Sequence, residues 1–158
     1  MTQIKLTTRI NAPIERVFDL SRSIDLHKIS VRQTNEEAIA GKTSGLIGIN
    51  ETVTWRAKHL GVYQKLTVKI TAFDRPKSFR DEMLKGAFKS MSHLHTFQED
   101  GDATCMIDDF EFISPLGFIG RFVDFLFLKK YMTKFLLIRN TELKSIAEGE
   151  KWRDLLEK

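Results

Sequence analysis

The chain has 158 residues, of which 42% are hydrophobic and 29% charged, so it can build one substantial core and is neither disordered nor fibrous. Its net charge is +4, with a pI near 9.2, but the basic residues are scattered, which argues against a nucleic-acid-binding surface. Cys105 is the only cysteine, which excludes an internal disulfide and a cysteine-based zinc site and favours a cytoplasmic location. We interpret residues 1–158 as a single domain.

The N-terminal third begins with a strand and two short helices. Alternating apolar and polar residues predict a strand over residues 3–11, without the unbroken apolar centre that a secretory signal requires. Pro13 is tolerated in a first helical turn, and the spacing of the apolar residues after it predicts a helix over residues 14–20. A second short helix is predicted over residues 24–29.

The middle of the chain is predicted to be a run of strands. Residues 31–40 alternate weakly and are charged, which is typical of an edge strand. The segments after them are separated by short turns, so neighbouring strands should pair antiparallel. These further strands are predicted over residues 50–60, 62–73, 78–84, 88–98 and 103–113. The pattern predicts a curved antiparallel sheet of about seven strands.

The chain ends in an apolar run from Pro115 to about Glu148, which predicts a long closing helix. Charged residues interrupt the run, so it is not interpreted as a membrane span. One helix covers only part of the concave face of a curved sheet, and we therefore expect a cavity between them. Aromatic surface left over on this helix either packs in the core, lines a ligand entrance, or contacts a membrane or a second protein.

Ionisable side chains fall on the predicted inner face of the sheet. His93 and His95 lie two residues apart on one strand and project in parallel. Glu51 and His59 share the inner face of another strand with Trp55. Buried ionisable groups are costly unless they are paired, hydrated or used. Several of them on one concave surface predict a partly hydrated pocket.

The histidine pair allows three functional interpretations: a metal site, acid/base catalysis, or the orientation of a bound ligand. Hydrogen bonds to carboxylates such as Glu51, Asp81 or Asp108 are favoured over a metal site completed by Glu51 or His59, because the sequence places no third ligand nearby. We therefore predict no metal and no cofactor. Acid/base catalysis would use one histidine as base with Glu51 or Asp81 as its partner. We prefer the third interpretation, in which the polar groups orient a ligand in an apolar cavity.

The chain resembles the START/SRPBCC superfamily, which includes lipid-transfer START domains, polyketide cyclases and dehydratases, the major birch pollen allergen and coenzyme-Q-binding proteins. The resemblance covers nearly the whole chain and rests on residues 11–18 and on Ser114-Pro115-Leu116-Gly117 before the closing helix. Residues 54–59, 79–83, 86–89 and 93–97 resemble the bacterial, cyclase/dehydrase-like branch that binds ligands. The resemblance implies an α+β helix-grip fold with an apolar ligand between the sheet and the C-terminal helix.

The predicted function is binding of a hydrophobic or amphipathic small molecule such as a lipid, isoprenoid or polyketide, with no nucleic-acid partner. Two alternatives stay open: a cyclase or dehydratase without a redox cofactor, and a membrane- or protein-interaction module that uses the aromatic closing helix. The catalytic candidates are Glu51, His93 and His95. The predicted ligand-binding residues are Trp55, His59, Asp81, Met83, Phe88, Met91, Phe97, Asp108, Phe110, Phe125, Leu128, Met132 and Phe135.

Overall fold

A computed structural model describes residues 1–114 and 127–157. The strands are β1 (Thr2–Ile10), β2 (Glu37–Gly41), β3 (Thr52–His59), β4 (Val62–Asp74), β5 (Ser78–Lys85), β6 (Ser90–Asp100) and β7 (Ala103–Ile113). The helices are α1 (Ile14–Ser21), α2 (Ile24–Ser30), α3 (Lys129–Glu148) and α4 (Trp152–Leu156), with a 3₁₀ turn at Arg32–Thr34. The strands form one antiparallel sheet in the order β1-β7-β6-β5-β4-β3-β2.

This arrangement confirms the predicted α+β class, with a curved seven-stranded sheet, short helices and a long C-terminal helix. Short turns produce the meander from β2 to β7, and β1 completes the sheet by pairing with β7. The strand predicted over residues 31–40 is wrong in extent, because Arg32–Thr34 form a 3₁₀ turn and β2 begins only at Glu37. Its predicted edge position is correct. Helix α4 was not predicted.

The turn between β3 and β4 has an uncommon composition. Leu60 and Gly61 form a two-residue hairpin turn and have φ angles of 53° and 80°. Both angles lie in the left-handed region, as a type I′ turn requires at its two central residues. Glycine adopts this conformation readily, whereas leucine does so at a cost. Leu60 is 57% exposed, so the fold holds an apolar side chain in solvent at this turn.

Helix α3 packs against β1, α1 and α2 with a stripe of buried side chains at helical spacing. The buried residues are Leu136, Arg139, Asn140, Leu143, Ile146 and Ala147. Two polar residues therefore lie on the face of the helix that points into the protein. Both take part in the site described below.

The solid part of the core is built around Phe18 of α1. Its ring makes edge-to-face contacts with Phe73, Phe79 and Phe97 at centroid distances of 5.4, 5.5 and 5.3 Å. These contacts join α1 to β4, β5 and β6 and fill the space on that side of the sheet. Helix α3 covers the sheet beside this packed region.

The first part of the predicted closing helix, residues 115–126, lies outside the described residues. The aromatic surface expected there, including Phe125, is therefore not placed. Within residues 1–114 and 127–157, no helix is both long enough and apolar enough to cross a membrane.

Candidate functional site

A cavity of about 370 Å³ lies between the concave face of the sheet and α3. Its walls are mainly apolar, and side chains from both layers contribute to them. Trp55, Met91 and Phe110 line it from the sheet, and Met132 and Phe135 from the helix. A space of this size and lining is typical of a small-molecule site.

The chain contains four histidines, and all of them line this cavity. They form two groups. The inner polar cluster consists of Asp81, His93, His95, Asp108, Arg139 and Asn140. The outer polar cluster consists of His27, Glu36, His59 and Tyr131. Leu60 and Phe127 line the same cavity and are 57% and 52% exposed, which indicates that the cavity opens beside them. This opening lies next to the outer cluster, because Leu60 follows His59 and the Phe127 ring stacks on Tyr131.

Strand register brings the inner cluster together. His93 on β6 is paired with Asp81 on β5, and His95 is paired with Asp108 on β7. All four side chains point to the same face because residues two apart on a strand share a face. His93 Nε2 lies 2.9 Å from Asp108 Oδ1, and His95 Nε2 lies 3.1 Å from Asp81 Oδ1. Each histidine thus has its own carboxylate.

Asp108 is the centre of this network. His95 Nδ1 lies 3.0 Å from its Oδ1, an ion-pair distance, at an angle that does not meet hydrogen-bond geometry. Asn140 donates from Nδ2 to its Oδ2 at 2.7 Å, and Arg139 Nη1 lies 3.7 Å from Oδ1. Arg139 also donates to the Ser21 carbonyl oxygen at 3.1 Å. The helix therefore supplies the groups that compensate this fully buried carboxylate.

Ring contacts hold the two histidines in place. The rings of His93 and His95 lie 3.8 Å apart between centroids, and Phe79 stacks on the other side of His95 at 4.3 Å. Phe110 meets the His93 ring edge-on at 5.2 Å. Rotation of either imidazole would break these contacts, so the nitrogen atoms have fixed directions.

The environment moves the pKa values of the two histidines in opposite directions. Burial lowers the pKa of His93, and the neighbouring charge of His95 lowers it further, which together exceed the raising effect of Asp108. Burial alone would also lower the pKa of His95, but its contacts with Asp108 and Asp81 outweigh burial and raise it. Of the two rings, His95 therefore keeps a positive charge to the higher pH.

The carboxylates of the inner cluster stay ionised. Burial alone would raise the pKa of Asp108, but the hydrogen bond from His93 and the close contact with His95 hold it well below its usual value. Asp81 behaves in the same way, since its hydrogen bond to His95 outweighs the effect of burial and lowers its pKa. Two carboxylates thus face the guanidinium of Arg139 and two imidazoles, of which His95 carries a positive charge more readily.

The inner cluster also contains a set of donors suited to a metal ion. One ligand atom each from Asp81, His93 and His95 lie within 4.8 Å of one another. Two imidazoles and a carboxylate can hold zinc or another first-row divalent ion with an open coordination position. The sequence did not reveal Asp81 as the third ligand, because strand pairing brings it next to the histidines.

Two pairs make up the outer cluster. His27 Nε2 lies 3.1 Å from Glu36 Oε2, and the His27 ring packs on Trp55 at 4.3 Å between centroids. His59 Nδ1 lies 2.9 Å from the Tyr131 hydroxyl. Burial lowers the pKa of His59, more than the charge of Glu36 raises it, so this ring is neutral near neutral pH.

Comparison with known proteins shows the fold. No protein-family model and no curated protein matches the chain. The structure of TTHA0849 from Thermus thermophilus has a TM-score of 0.74 at 17% identity, covering 91% of this chain and 95% of that one. Major latex-like protein 151 from Panax ginseng has a TM-score of 0.70 at 14% identity, covering 94% and 98%. A START superfamily protein from Mycobacterium smegmatis has a TM-score of 0.70 at 12% identity, covering 92% and 97%.

The chain has the START/SRPBCC helix-grip fold. Identities at this level establish the fold alone, and many functions share one fold, so the function is argued from the site. The cavity lies where the resemblance implied it, between the sheet and the C-terminal helix of the helix-grip fold.

Most of the predicted residues line the helix-grip cavity. Those that do are Trp55, His59, Asp81, Phe88, Met91, His93, His95, Phe110, Leu128, Met132 and Phe135. Asp108 and Phe97 lie behind the wall, where Asp108 supports the histidines and Phe97 packs on Phe18. Met83 packs against the core near Gly86 and is not part of the cavity wall. Phe125 lies outside the described residues.

Glu51 is the prediction that the structure corrects. It precedes β3 instead of lying within it, because the strand begins at Thr52. Its side chain is 42% exposed, accepts a hydrogen bond from the Gly48 backbone amide at 2.7 Å and lies 3.4 Å from Lys42 Nζ. Glu51 therefore organises a surface loop, and the carboxylates beside the histidines are Asp81 and Asp108.

Sequence reasoning missed several polar residues of the site. Arg139 and Asn140 could have been found from the sequence, because they lie at helical spacing on the otherwise apolar face of α3. Glu36, His27 and Tyr131 could not, since the contacts that bring them together join a helix end, a loop and the start of α3.

Proposed function

We propose that this chain is a cytoplasmic, single-domain binding protein for a hydrophobic or amphipathic small molecule such as a lipid, isoprenoid or polyketide. The observation that carries the proposal is the apolar cavity of about 370 Å³ with a fixed, buried polar cluster in its inner wall. The ligand's apolar body would contact the aromatic walls, and its polar end would bind at Asp81 and His93. Ligand binding between sheet and helix is also what the START/SRPBCC resemblance implies.

The expected energetics favour apolar contact as the main source of affinity. Burying about 300 Å² of apolar ligand surface yields roughly 7 kcal/mol before the loss of translational freedom is subtracted. The inner cluster is already internally paired, so a polar ligand group adds selectivity by matching the directions of the remaining donors and acceptors. Affinity should therefore follow ligand hydrophobicity, with the polar group deciding among ligands of similar size.

A cavity-filling substitution tests the proposal. Ala57 is buried on β3 and lines the cavity, so Ala57→Phe places a ring in the ligand space without removing any contact. We expect this variant to fold and to lose binding of an apolar fluorescent dye by more than about tenfold. Ala72→Phe, at an exposed position on β4, is the matched control and should bind the dye like the wild type. Equal dye binding by both variants would refute the proposal.

Native mass spectrometry of the protein purified from its source cell provides an independent test. A co-purifying organic mass, lost from the Ala57→Phe variant, would support the binding function. A divalent ion at full occupancy would instead assign the inner cluster, through Asp81, His93 and His95, to metal binding.

One observation favours a second candidate, a cyclase- or dehydratase-type enzyme. His93 and His95 lie side by side with pKa values moved apart, one toward a base and the other toward an acid. In this function His93 would accept a proton from the ligand and His95 would donate one. His93→Gln should then abolish turnover and leave ligand affinity nearly unchanged, whereas a pure binding protein would show no turnover in either form.

A further inference from the structure

The outer polar cluster contains a carboxylate oxygen without a partner. Glu36 uses Oε2 to pair with His27 at 3.1 Å, and its side chain is only 6% exposed. Its other oxygen, Oε1, makes no hydrogen bond to any residue within the described ranges. A carboxylate oxygen that faces the cavity without a partner in the protein is a strong acceptor that a ligand can use.

The chain holds this carboxylate in place by an uncommon backbone conformation. Asn35, directly before Glu36, has a left-handed φ of 48° between the 3₁₀ turn and β2. On the other side, His27 is fixed by its contact with the buried Trp55 ring. The left-handed Asn35 on one side and the packed His27 on the other thus hold Glu36 toward the cavity.

His59 and Tyr131 line the same cavity as Glu36. They bind each other at 2.9 Å, and His59 Nε2 makes no hydrogen bond to a residue that the structure describes. The charge of Glu36 acts on both groups, yet neither of them hydrogen bonds to it. All of these residues line the cavity, so the gap between them is ligand space.

The free donors and acceptors of Glu36 and His59 indicate which chemical group of a ligand fits between them. Glu36 Oε1 needs a donor, and the neutral His59 offers one nitrogen that either accepts or donates, depending on its tautomer. A hydroxyl group supplies one donor and accepts in return, so it satisfies both sides at once. An ammonium group has three donors and no acceptor and would leave part of its hydrogen bonding unmet in this apolar setting.

We infer that Glu36, His59 and Tyr131 form a second anchor that binds a hydroxyl group, so that the ligand has an apolar body with a polar group at each end. The inference rests on the proposed binding function and narrows its ligand class. One polar end lies at the inner cluster and the hydroxyl end beside the opening at Leu60 and Phe127.

The test compares α,ω-alkanediols with n-alkanols of the same chain length, each as a competitor of a bound apolar dye. In the wild type, one chain length should span both clusters, and there the diol should bind about 10- to 100-fold tighter than the alkanol. Glu36→Gln should reduce this diol-to-alkanol ratio about tenfold. Glu37→Gln, at the exposed neighbour paired with Arg56, should leave the ratio unchanged.

The outcomes separate this inference from the function on which it rests. If neither series displaces the dye, the binding function fails and the second anchor fails with it. If both series bind but no chain length gives a diol preference, or if Glu36→Gln retains the preference, the second anchor alone is wrong. Tyr131→Phe, which keeps the ring and removes the hydroxyl, gives the same comparison if Glu36→Gln does not fold.

Discussion

The inner and outer polar clusters line one cavity but are built in different ways. In the inner cluster the carboxylate of Asp108 is 0% exposed and both of its oxygens are bound by residues of the protein. In the outer cluster, among residues 1–114 and 127–157, each pair keeps an unfilled position, at Glu36 Oε1 and at His59 Nε2. A carboxylate with both oxygens bound by the protein, such as Asp108, fixes geometry and stabilises the fold, whereas groups with free positions are available to a ligand.

The two clusters also differ in what positions them. Paired strands β5, β6 and β7 set the inner cluster through their register, so its members cannot shift independently. The outer cluster is assembled from the end of α2, a loop, the end of β3 and the beginning of α3. Changes in the inner cluster should therefore affect stability most, and changes in the outer cluster should affect binding most.

The largest effect is expected from Asp108→Asn. The substitution removes the buried counter-charge of the Arg139 guanidinium and one of the two carboxylates beside His95, which keeps Asp81. Breaking a buried ion pair from one side costs about 3–5 kcal/mol, and we expect a loss of this size in urea unfolding. Asp109→Asn, on the exposed face of the same strand, is the control and should change the free energy of unfolding by less than about 0.5 kcal/mol. Equal losses would contradict a special role for Asp108.

A smaller loss is expected from Asn140→Ala. The variant removes the 2.7 Å hydrogen bond to Asp108 Oδ2 and leaves that oxygen unsatisfied in the core. An unsatisfied buried acceptor costs about 1–3 kcal/mol, which thermal unfolding can measure. Thr141→Ala on the exposed side of α3 provides the comparison. A melting temperature equal to that of this control would show that the helix does not compensate Asp108.

These expectations show which parts of the site the sequence could predict. Period-two alternation was enough to place His93, His95, Asp81 and Asp108 on one face, because each strand fixes its own side-chain directions. Alternation says nothing about which strands are neighbours in register, so the partner of each histidine stayed open. The prediction for Glu51 was wrong for a related reason, since the strand was predicted to begin at residue 50, two residues before the true start of β3.

The outer cluster could not be predicted because no periodic pattern describes it. Glu36 lines the cavity directly after Asn35, whose left-handed conformation is more common for asparagine than for most residues but is not specified by the sequence alone. The fold itself was predictable, since short turns between alternating segments dictate an antiparallel meander.

Within the outer cluster, Tyr131→Phe should change stability only slightly. It removes one partly exposed hydrogen bond, to His59 Nδ1, and keeps the aromatic ring that stacks near Phe127. The expected loss is about 0.5–1.5 kcal/mol in urea unfolding. A loss as large as that of Asp108→Asn would contradict a smaller contribution of the outer cluster to stability.

The smallest effect is expected when only pH changes near neutrality, because the two inner histidines act in opposite directions. His93, with its lowered pKa, contributes stability above pH 6.5 and loses it as the pH falls. His59 adds to this acid side, because burial lowers its pKa as well. His95, with its raised pKa, contributes below pH 6.5 and loses its contribution as the pH rises through the folded value. The free energy of unfolding should therefore pass through a shallow maximum near pH 6.5.

Two variants identify which histidines cause the maximum in the free energy of unfolding, which is measured by urea unfolding at pH values on both sides of 6.5. His95→Gln should abolish the decline above pH 6.5, because no group with a raised histidine pKa remains in the inner cluster. His59→Gln should keep that decline and weaken only the acid side. Histidine NMR titration reports the same protons directly and should show one inner histidine charged and its neighbour neutral at pH 6.5. A stability curve that rises steadily through neutrality, with both inner histidines deprotonating together, would mean that Asp81 and Asp108 do not raise the pKa of His95 above that of His93.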